Sequence, residues 1–287
     1  MLATWLTSRP IAHRGLYDLA AGRPENSLAA FAAAAAAGYP FEFDVHLTDG
    51  GNLVVLHDFD LERATGVSRP VATLTAAELP GIRLFGTDQR LPMLGEVTEC
   101  VAGRVPLLIE LKRQGSADPR ALVNSVLRHL KTCDGEYALS SFDPVLVYFL
   151  RRSGADYPLG QISGLLRTAG PVQRLIGRSL IGNFLTRPDF LSYELAGLPS
   201  LVVGAWRRRG VPVVAWPVRS PADELEARKY ADNIIFSDFR PEKLMRRMSL
   251  AVRRYRHQGR DPRSRDLQPR RAAPGTRRCD AFPGRAF

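Results

Sequence analysis

The 287-residue sequence predicts an α/β protein, a single-domain (β/α)8 TIM barrel with a small hairpin insertion near its mouth and a disordered basic C-terminal tail. Short apolar runs alternate with helical stretches, the pattern of a parallel sheet whose strands are joined by helices. Eight such runs occur within about 240 residues, a usual length for a closed barrel. A ninth run follows its predecessor after only a glycine turn, so we expect it to pair antiparallel as a hairpin.

The predicted strands cover residues 10–13, 41–45, 53–56, 107–112, 137–140, 159–162, 190–192, 213–218 and 233–237. The run at 53–56 comes directly after Asp49-Gly50-Gly51 and is the expected hairpin return. Between the first two strands, an alanine-rich helix is capped by Asn26 or Ser27 and ended by Gly38.

Most of the net charge of +11 belongs to the C-terminal segment. Residues 246–287 contain 13 Arg, no Lys and three Asp, a net charge of +10. The remaining 245 residues carry 27 basic and 26 acidic side chains. We therefore predict a barrel over residues 1–245 and an Arg-rich extension over 246–287, which starts within a helix at 241–256 and is disordered over about 260–287.

The cellular location is predicted from segments that the sequence lacks. The three cysteines, Cys100, Cys133 and Cys279, are too few and too widely spaced for a disulfide scaffold. The sequence contains no run of 18 apolar residues, so we predict no membrane span. The first residues do not resemble a secretory signal. We expect a cytoplasmic protein.

Charged and imidazole side chains lie at or just after the C-terminal ends of several predicted strands. They are His13, Arg14, Glu42, Asp44, His57, Glu110 and Lys112. Residues two apart on a strand share a face, which groups Glu42 with Asp44 and Glu110 with Lys112. Because the C-terminal ends of barrel strands meet at one mouth, we expect these side chains to converge there.

The converging residue types point to phosphoester hydrolysis. Three carboxylates packed together repel one another unless a divalent cation lies between them, and oxygen ligands suit Mg²⁺ or Ca²⁺. Two cationic side chains suit an anionic substrate, and two imidazoles can transfer protons. Taken singly, each pair of residues also has a purely structural explanation. Glu42 and Asp44 can lie on the solvated face of a strand, Glu110 and Lys112 can form a same-face ion pair, and His57-Asp58 can be a polar turn. His46 is expected just beyond the end of its strand, without a role in the site.

Five motifs together resemble the glycerophosphodiester phosphodiesterase family. They are His13-Arg14-Gly15, Pro24-Glu25-Asn26-Ser27, Glu42-x-Asp44, His57-Asp58 and Glu110-x-Lys112. The resemblance extends over roughly residues 8–245 and includes segments 61–66, 141–142, 215–218 and 234–238. It implies a TIM barrel and metal-dependent hydrolysis of glycerophosphodiesters to glycerol 3-phosphate and an alcohol.

The resemblance also implies roles for individual residues. His13 and His57 would be the catalytic acid/base pair, and Glu42, Asp44 and Glu110 would bind one divalent cation, Mg²⁺ or Ca²⁺. The implied substrate-binding residues are Arg14, Lys112, Glu25, Asn26 and Trp216. The sequence departs from the family pattern at Pro217 and at Ser237, so the part of the mouth that receives the leaving alcohol is expected to differ.

Two other functions remain open from the sequence. A lysophospholipid-cleaving phosphodiesterase of the same superfamily would need an apolar groove, which residues 159–186 can supply. A different class is an RNA-binding or anionic-membrane-binding protein that uses the Arg-rich tail. For that tail we favour a solvated extension without a selected partner; weak contact with an anionic membrane or RNA is the alternative, and no specific nucleic acid is expected. The nucleophile, either water or the neighbouring glycerol hydroxyl through a cyclic phosphate, is also left open.

Overall fold

A computed structural model describes residues 3–115, 117–167 and 169–241. The strands in these ranges are β1 (Ile11–His13), β2 (Phe41–Leu47), β3 (Leu53–Val55), β4 (Leu107–Lys112), β5 (Tyr137–Ser141), β6 (Leu159–Ser163), β7 (Phe190–Glu194), β8 (Val213–Val218) and β9 (Asn233–Phe236). The sheet order is β1-β9-β8-β7-β6-β5-β4-β2-β3, and an additional β1–β2 pairing closes it.

The closed part of the sheet is a parallel barrel of eight strands within the described residues. β3 lies outside this closed ring and pairs antiparallel with β2, with Val45 opposite Val55 and Leu47 opposite Leu53. The predicted TIM barrel and its hairpin return are therefore confirmed.

Helices connect the strands and cover the barrel. The α-helices of the described part of the chain are α1 (Trp5–Ser8), α2 (Leu28–Ala37), α3 (Glu62–Thr65), α4 (Leu94–Val101), α5 (Pro119–Leu130), α6 (Pro144–Arg152), α7 (Pro171–Ser179), α8 (Asn183–Thr186), α9 (Leu201–Arg208) and α10 (Pro221–Tyr230). Short 3₁₀ turns occur at Leu19–Ala21, Val71–Thr73, Leu79–Gly81 and Leu195–Gly197.

The alanine-rich helix α2 packs closely against the barrel. The Ser27 side chain accepts a hydrogen bond from the backbone N–H of Ala30, and Gly38 ends the helix in a left-handed conformation. Phe31 stacks on Phe41 of β2 with ring centroids 4.7 Å apart. Small alanine side chains let the helix approach the strands, which supports the turn after β1.

The segment between β3 and α4 forms the predicted insertion and contains α3. It has an apolar cluster of its own, separate from the main core, formed by Val54, Leu56, Leu61, Ala64, Val71, Leu74, Leu79, Leu84 and Leu91. This small core gives the insertion a fixed position from which its polar residues reach the barrel mouth.

The prediction that His46 lies beyond the end of its strand is wrong. β2 continues to Leu47 because its last residues pair with β3 on one side, with His46 opposite Val54, and His46 lies opposite Lys112 of β4 on the other. Its ring is buried and makes an edge contact with Phe59, with centroids 5.3 Å apart.

The predicted helix at 241–256 and the predicted disorder of the tail lie outside the described residues, apart from Pro241. Within the described part of the chain, no helix is long and apolar enough to cross a membrane.

Candidate active site

A cavity of about 210 Å³ lies at the C-terminal ends of the barrel strands. The sequence-predicted site residues that line it are His13, Arg14, Glu42, Asp44, His57, Glu110 and Trp216. Glu25, Asn26 and Lys112 lie behind this lining, and each bonds to a charged side chain in it. All ten predicted residues are therefore brought to one place.

Three carboxylates form the floor of the site. Glu42, Asp44 and Glu110 each offer an oxygen within 4.8 Å of the others, and all three side chains are buried. Burial, with the charges of Asp44 and Glu110 nearby, raises the pKa of Glu42 well above its usual value. Burial also raises the pKa of Glu110 to about 7. Both shifts favour the uncharged, protonated form of the carboxyl group.

Asp44 differs from the other two carboxylates because it has direct partners. Lys112 Nζ lies 3.0 Å from Oδ1 of Asp44, and Asn26 Nδ2 donates to Oδ2 at 3.0 Å. Burial alone would raise the pKa of Asp44, but the charges of Lys112, His57 and Arg14 outweigh it and lower that pKa below its usual value. Asp44 is therefore ionised at neutral pH.

The residues present fit a divalent cation. The donor set is made of oxygen atoms only, which suits a hard cation. In addition, Oδ1 of Asn26 is buried and has no hydrogen-bond partner among the described residues. A cation between Glu42, Asp44 and Glu110 would stabilise their ionised forms and so oppose the burial that raises the pKa values of Glu42 and Glu110.

The turn after β1, at Arg14 and Gly15, has a left-handed backbone conformation and lies beside the carboxylate cluster. Arg14 has a φ of 55° and Gly15 a φ of 83°. A Cβ atom on Gly15 would lie 2.8 Å from the carbonyl carbon of Ala30, so this position requires glycine. The backbone N–H of Arg14 donates to Oε2 of Glu42 at 3.2 Å, and both residues line the cavity.

His13 lies beside the carboxylate cluster. Its Nε2 is 3.9 Å from Oε2 of Glu42, and its side chain is only 18% exposed. Burial, helped by the nearby charge of Arg14, lowers the pKa of His13 to about 3. The imidazole is therefore neutral at neutral pH and can accept a proton.

His57 is held by its neighbour. Its Nδ1 lies 2.6 Å from Oδ1 of Asp58. Burial alone would raise the pKa of Asp58, but hydrogen bonds from His57 and Arg63 outweigh it and lower that pKa. Since an ionised carboxylate only accepts hydrogen bonds, Nδ1 is the donor, and Nε2 has no hydrogen-bond partner among the described residues. Burial lowers the pKa of His57, whereas Asp58 acts in the opposite direction.

Arg63 links the two sides of the mouth. The sequence did not predict this role for it. Its Nε lies 2.5 Å from Asp58, and its Nη2 lies 2.6 Å from Glu25. Glu25 in turn accepts from Nη1 of Arg14 at 2.7 Å. The resulting ion-pair chain runs from Arg14 to His57, so α3 of the insertion fixes groups on both sides. Its signal in the sequence was the family-like segment 61–66, to which no individual role was assigned.

Trp216 and Pro217 form the far wall of the cavity. The pairing of β8 with β9 is irregular between Ala215 and Val218, which explains how a proline is accommodated within a barrel strand. The Trp216 ring meets Phe142 edge-on, with centroids 5.5 Å apart. Arg219 also lines the cavity and was not predicted as a site residue.

A second cavity, of about 320 Å³, adjoins the first and shares Phe142 and Ile162 with it. Its apolar lining includes Leu166, Ala169 and Ile176, from the segment after β6 and from α7. This is the region in which the sequence predicted an apolar groove.

Comparison with known proteins identifies the chain's relatives. The family model for the glycerophosphoryl diester phosphodiesterase family matches residues 13–242. Glycerophosphodiester phosphodiesterase of Caldanaerobacter subterraneus subsp. tengcongensis is 31% identical over 247 residues, which cover 82% of this chain and 95% of the relative. Lysophospholipase D GDPD1 of Rattus norvegicus is 38% identical over 119 residues, 37% of this chain and 36% of the relative. The matched region thus spans about a third of that mammalian relative's length.

Solved structures agree with this assignment. A putative glycerophosphoryl diester phosphodiesterase from Silicibacter pomeroyi superposes with a TM-score of 0.68 at 26% identity, covering 80% of this chain and 90% of the other. A phosphodiesterase of Oleispira antarctica, solved in complex with the product sn-glycerol-3-phosphate, has the same fold with a TM-score of 0.68 at 21% identity, covering 85% and 97%. The resemblance found in the motifs is confirmed, and the chain belongs to the glycerophosphoryl diester phosphodiesterase family.

Proposed function

We propose that this protein hydrolyses glycerophosphodiesters to glycerol 3-phosphate and an alcohol, with Mg²⁺ or Ca²⁺ bound by Glu42, Asp44 and Glu110. The observation that carries the proposal is the convergence of this carboxylate cluster, Arg14 and two histidines on one cavity. The sn-glycerol-3-phosphate bound as product in the Oleispira antarctica phosphodiesterase supports the same substrate class.

In this proposal the substrate phosphate binds between Arg14 and the carboxylate cluster. Glu25 fixes the Arg14 guanidinium through a 2.7 Å contact, so little side-chain freedom is lost when a phosphate binds. Lys112, 3.0 Å from Asp44, adds positive charge behind the carboxylates. A bound divalent cation would neutralise phosphoryl oxygens in the transition state.

We assign proton transfer to the two histidines. His13 is neutral at neutral pH and lies beside the carboxylate cluster, so it is the candidate for the base that takes a proton from the nucleophile. Burial lowers the pKa of His57, but the hydrogen bond to Asp58 opposes that shift and favours the protonated ring, so we assign His57 as the general acid that protonates the leaving alkoxide through Nε2. The same assignment serves attack by water or by the neighbouring glycerol hydroxyl.

The substitution Glu42→Gln tests the proposal. It removes one charged ligand with little change in shape, so we expect turnover of glycerophosphocholine to be abolished and Mg²⁺ or Ca²⁺ affinity to fall with it. Calorimetric titration of the metal and an assay of glycerol 3-phosphate release measure the two effects. The matched control is Glu62→Gln, an exposed carboxylate outside the cavity. Retained metal affinity with lost turnover would refute the assignment of Glu42 as a ligand.

The second cavity favours a further candidate substrate, a lysophospholipid. Its apolar lining beside the proposed phosphate site suits an acyl chain. The name of the rat relative, a lysophospholipase D, points in the same direction. We expect Ala169→Phe to fill this cavity and lower activity on lysophosphatidylcholine, with glycerophosphocholine activity retained. Ala169→Ser is the size-conserving control. Equal activity of both variants on lysophosphatidylcholine would argue against this substrate.

A further inference from the structure

The segment that surrounds the second cavity has an unusual charge composition. Residues 157–188 contain four arginines and no aspartate or glutamate. Arg167 pairs with Glu194 of β7, whereas Arg178 is exposed and has no carboxylate within 4.0 Å among the described residues. The segment is therefore locally basic although residues 1–245 are almost neutral overall.

The same segment and the start of α9 expose large apolar side chains. We define the α7–α8 face as Val172, Leu175, Ile176, Ile181, Phe184, Leu185 and Leu201, whose exposed fractions range from 52% to 91%. In α7, positions 172, 175 and 176 have the i, i+3, i+4 spacing that places them on one side of a helix. Leu201, at the start of α9, lines an open hollow together with Leu175 and Arg178, so charged and apolar groups are adjacent.

The opposite side of α7 is anchored to the barrel. Ser163, at the end of β6, donates to the carbonyl of Gly177 at 2.9 Å. A Cβ atom on Gly177 would lie 2.3 Å from Leu166, so the helix contacts the preceding loop closely at this point. Arg174 donates to the carbonyls of Leu166 and Arg167, which fixes the loop before the helix. The exposed apolar side chains therefore belong to a helix whose inner side already has its partners.

We propose that the α7–α8 face docks on the surface of an anionic lipid bilayer. An amphipathic helix with apolar residues on one side and arginines beside them is the pattern of an interfacial helix. The arginines complement the negative surface of such a bilayer, and the apolar side chains enter its interfacial region. Ile176 belongs to this face and also lines the second cavity, so docking would bring that cavity to the lipid surface. This inference goes beyond hydrolysis, and binding can be measured without turnover.

The test measures binding of the full chain to phosphatidylcholine vesicles that contain about one-third phosphatidylglycerol. Sedimentation in about 0.5 M NaCl, where the Debye length is about 4 Å, suppresses the electrostatic attraction of the Arg-rich tail and of the arginines beside the face alike, so the binding that remains measures insertion of the apolar side chains. We expect Leu175→Ser/Leu185→Ser to weaken this salt-resistant binding on the order of tenfold, because two inserted apolar side chains are lost. Leu225→Ser, on α10 and 62% exposed, is the matched control and should bind as the unmodified chain does.

Neither substituted leucine lines the first or the second cavity, so hydrolysis of glycerophosphocholine should be unchanged. Leu201→Ser, at a side chain of α9 that is 91% exposed, provides a second variant outside α7. Unchanged vesicle binding by all the face variants would overturn the proposal, as would an unmodified chain that does not bind at high salt. A dimer that becomes a monomer on substitution would also overturn it, since the face would then join two copies of the chain.

Discussion

Replacing Asp58 by asparagine tests the proposed role of His57 with a small change in shape. The substitution removes the negative charge 2.6 Å from Nδ1 of His57. A hydrogen bond to a charged group contributes about 1.5–3 kcal/mol. The two side chains are 36% and 24% exposed, so solvent screening favours the lower end of that range. A loss of about 1.5 kcal/mol in transition-state stabilisation corresponds to about a tenfold decrease in kcat.

The assay compares two leaving groups over a range of pH. With glycerophosphocholine, whose alkoxide leaving group needs a proton, we expect kcat of Asp58→Asn to decrease about tenfold with little change in KM. With a p-nitrophenyl phosphodiester the decrease should nearly disappear, because that leaving group needs no acid. The alkaline limb of the pH profile should also move to lower pH, because the hydrogen bond to the Asp58 carboxylate opposes the burial that lowers the pKa of His57, and an uncharged asparagine opposes it less.

The matched control for Asp58→Asn is again Glu62→Gln, which removes a nearby exposed carboxylate. An equal loss of kcat on both substrates would refute the general-acid assignment. Asp58 would then act by holding Arg63, whose Nε lies 2.5 Å away, and so by maintaining the shape of the mouth.

Three further predictions concern the metal, the histidines and the tail. Metal affinity measured by calorimetry should fall as the pH is lowered from about 8 to about 5, because Glu42 and Glu110, with raised pKa values, must lose protons to bind a cation; a constant affinity would contradict this. His57→Ala should lower kcat by roughly 10²–10⁴ and recover on the p-nitrophenyl substrate, whereas His13→Ala should not recover; the reverse result would exchange their roles. Truncation after about His257 should leave hydrolysis of glycerophosphocholine nearly intact, since the tail carries none of the proposed site residues; a large loss of kcat in a folded variant would show that it completes the mouth.

The sequence predicts the position of a site residue wherever that position depends only on the local residue pattern and on the direction of a strand. Glu42 and Asp44 share one face of β2 because side chains alternate along a strand, and this parity can be read without a structure. Glu110 on β4 is in register with Asp44, which follows from parallel strands that end at the same mouth. The hairpin return to His57 was predictable from its short glycine turn.

Contacts between distant loops could not be predicted in the same way. Glu25 and Arg63 are 38 residues apart, and their pairing depends on the fold of an insertion that has its own small core. The extension of β2 through His46 depends on pairing with β3 beyond the barrel, which the alternating pattern of residues 41–45 does not indicate. The irregular pairing of β8 accommodates Pro217, a residue that by sequence alone is unfavourable within a strand.

The central claim is that a divalent cation in the carboxylate cluster is required for hydrolysis of glycerophosphodiesters. Phosphorus NMR of glycerol 3-phosphate release, over a panel of glycerophosphodiesters, tests it with the full chain after chelation by EDTA and after metal add-back. We predict no product in EDTA, recovery with Mg²⁺ or Ca²⁺, and glycerol 3-phosphate as the common product across the panel. Full activity in excess EDTA, without carried-over metal, would contradict the account.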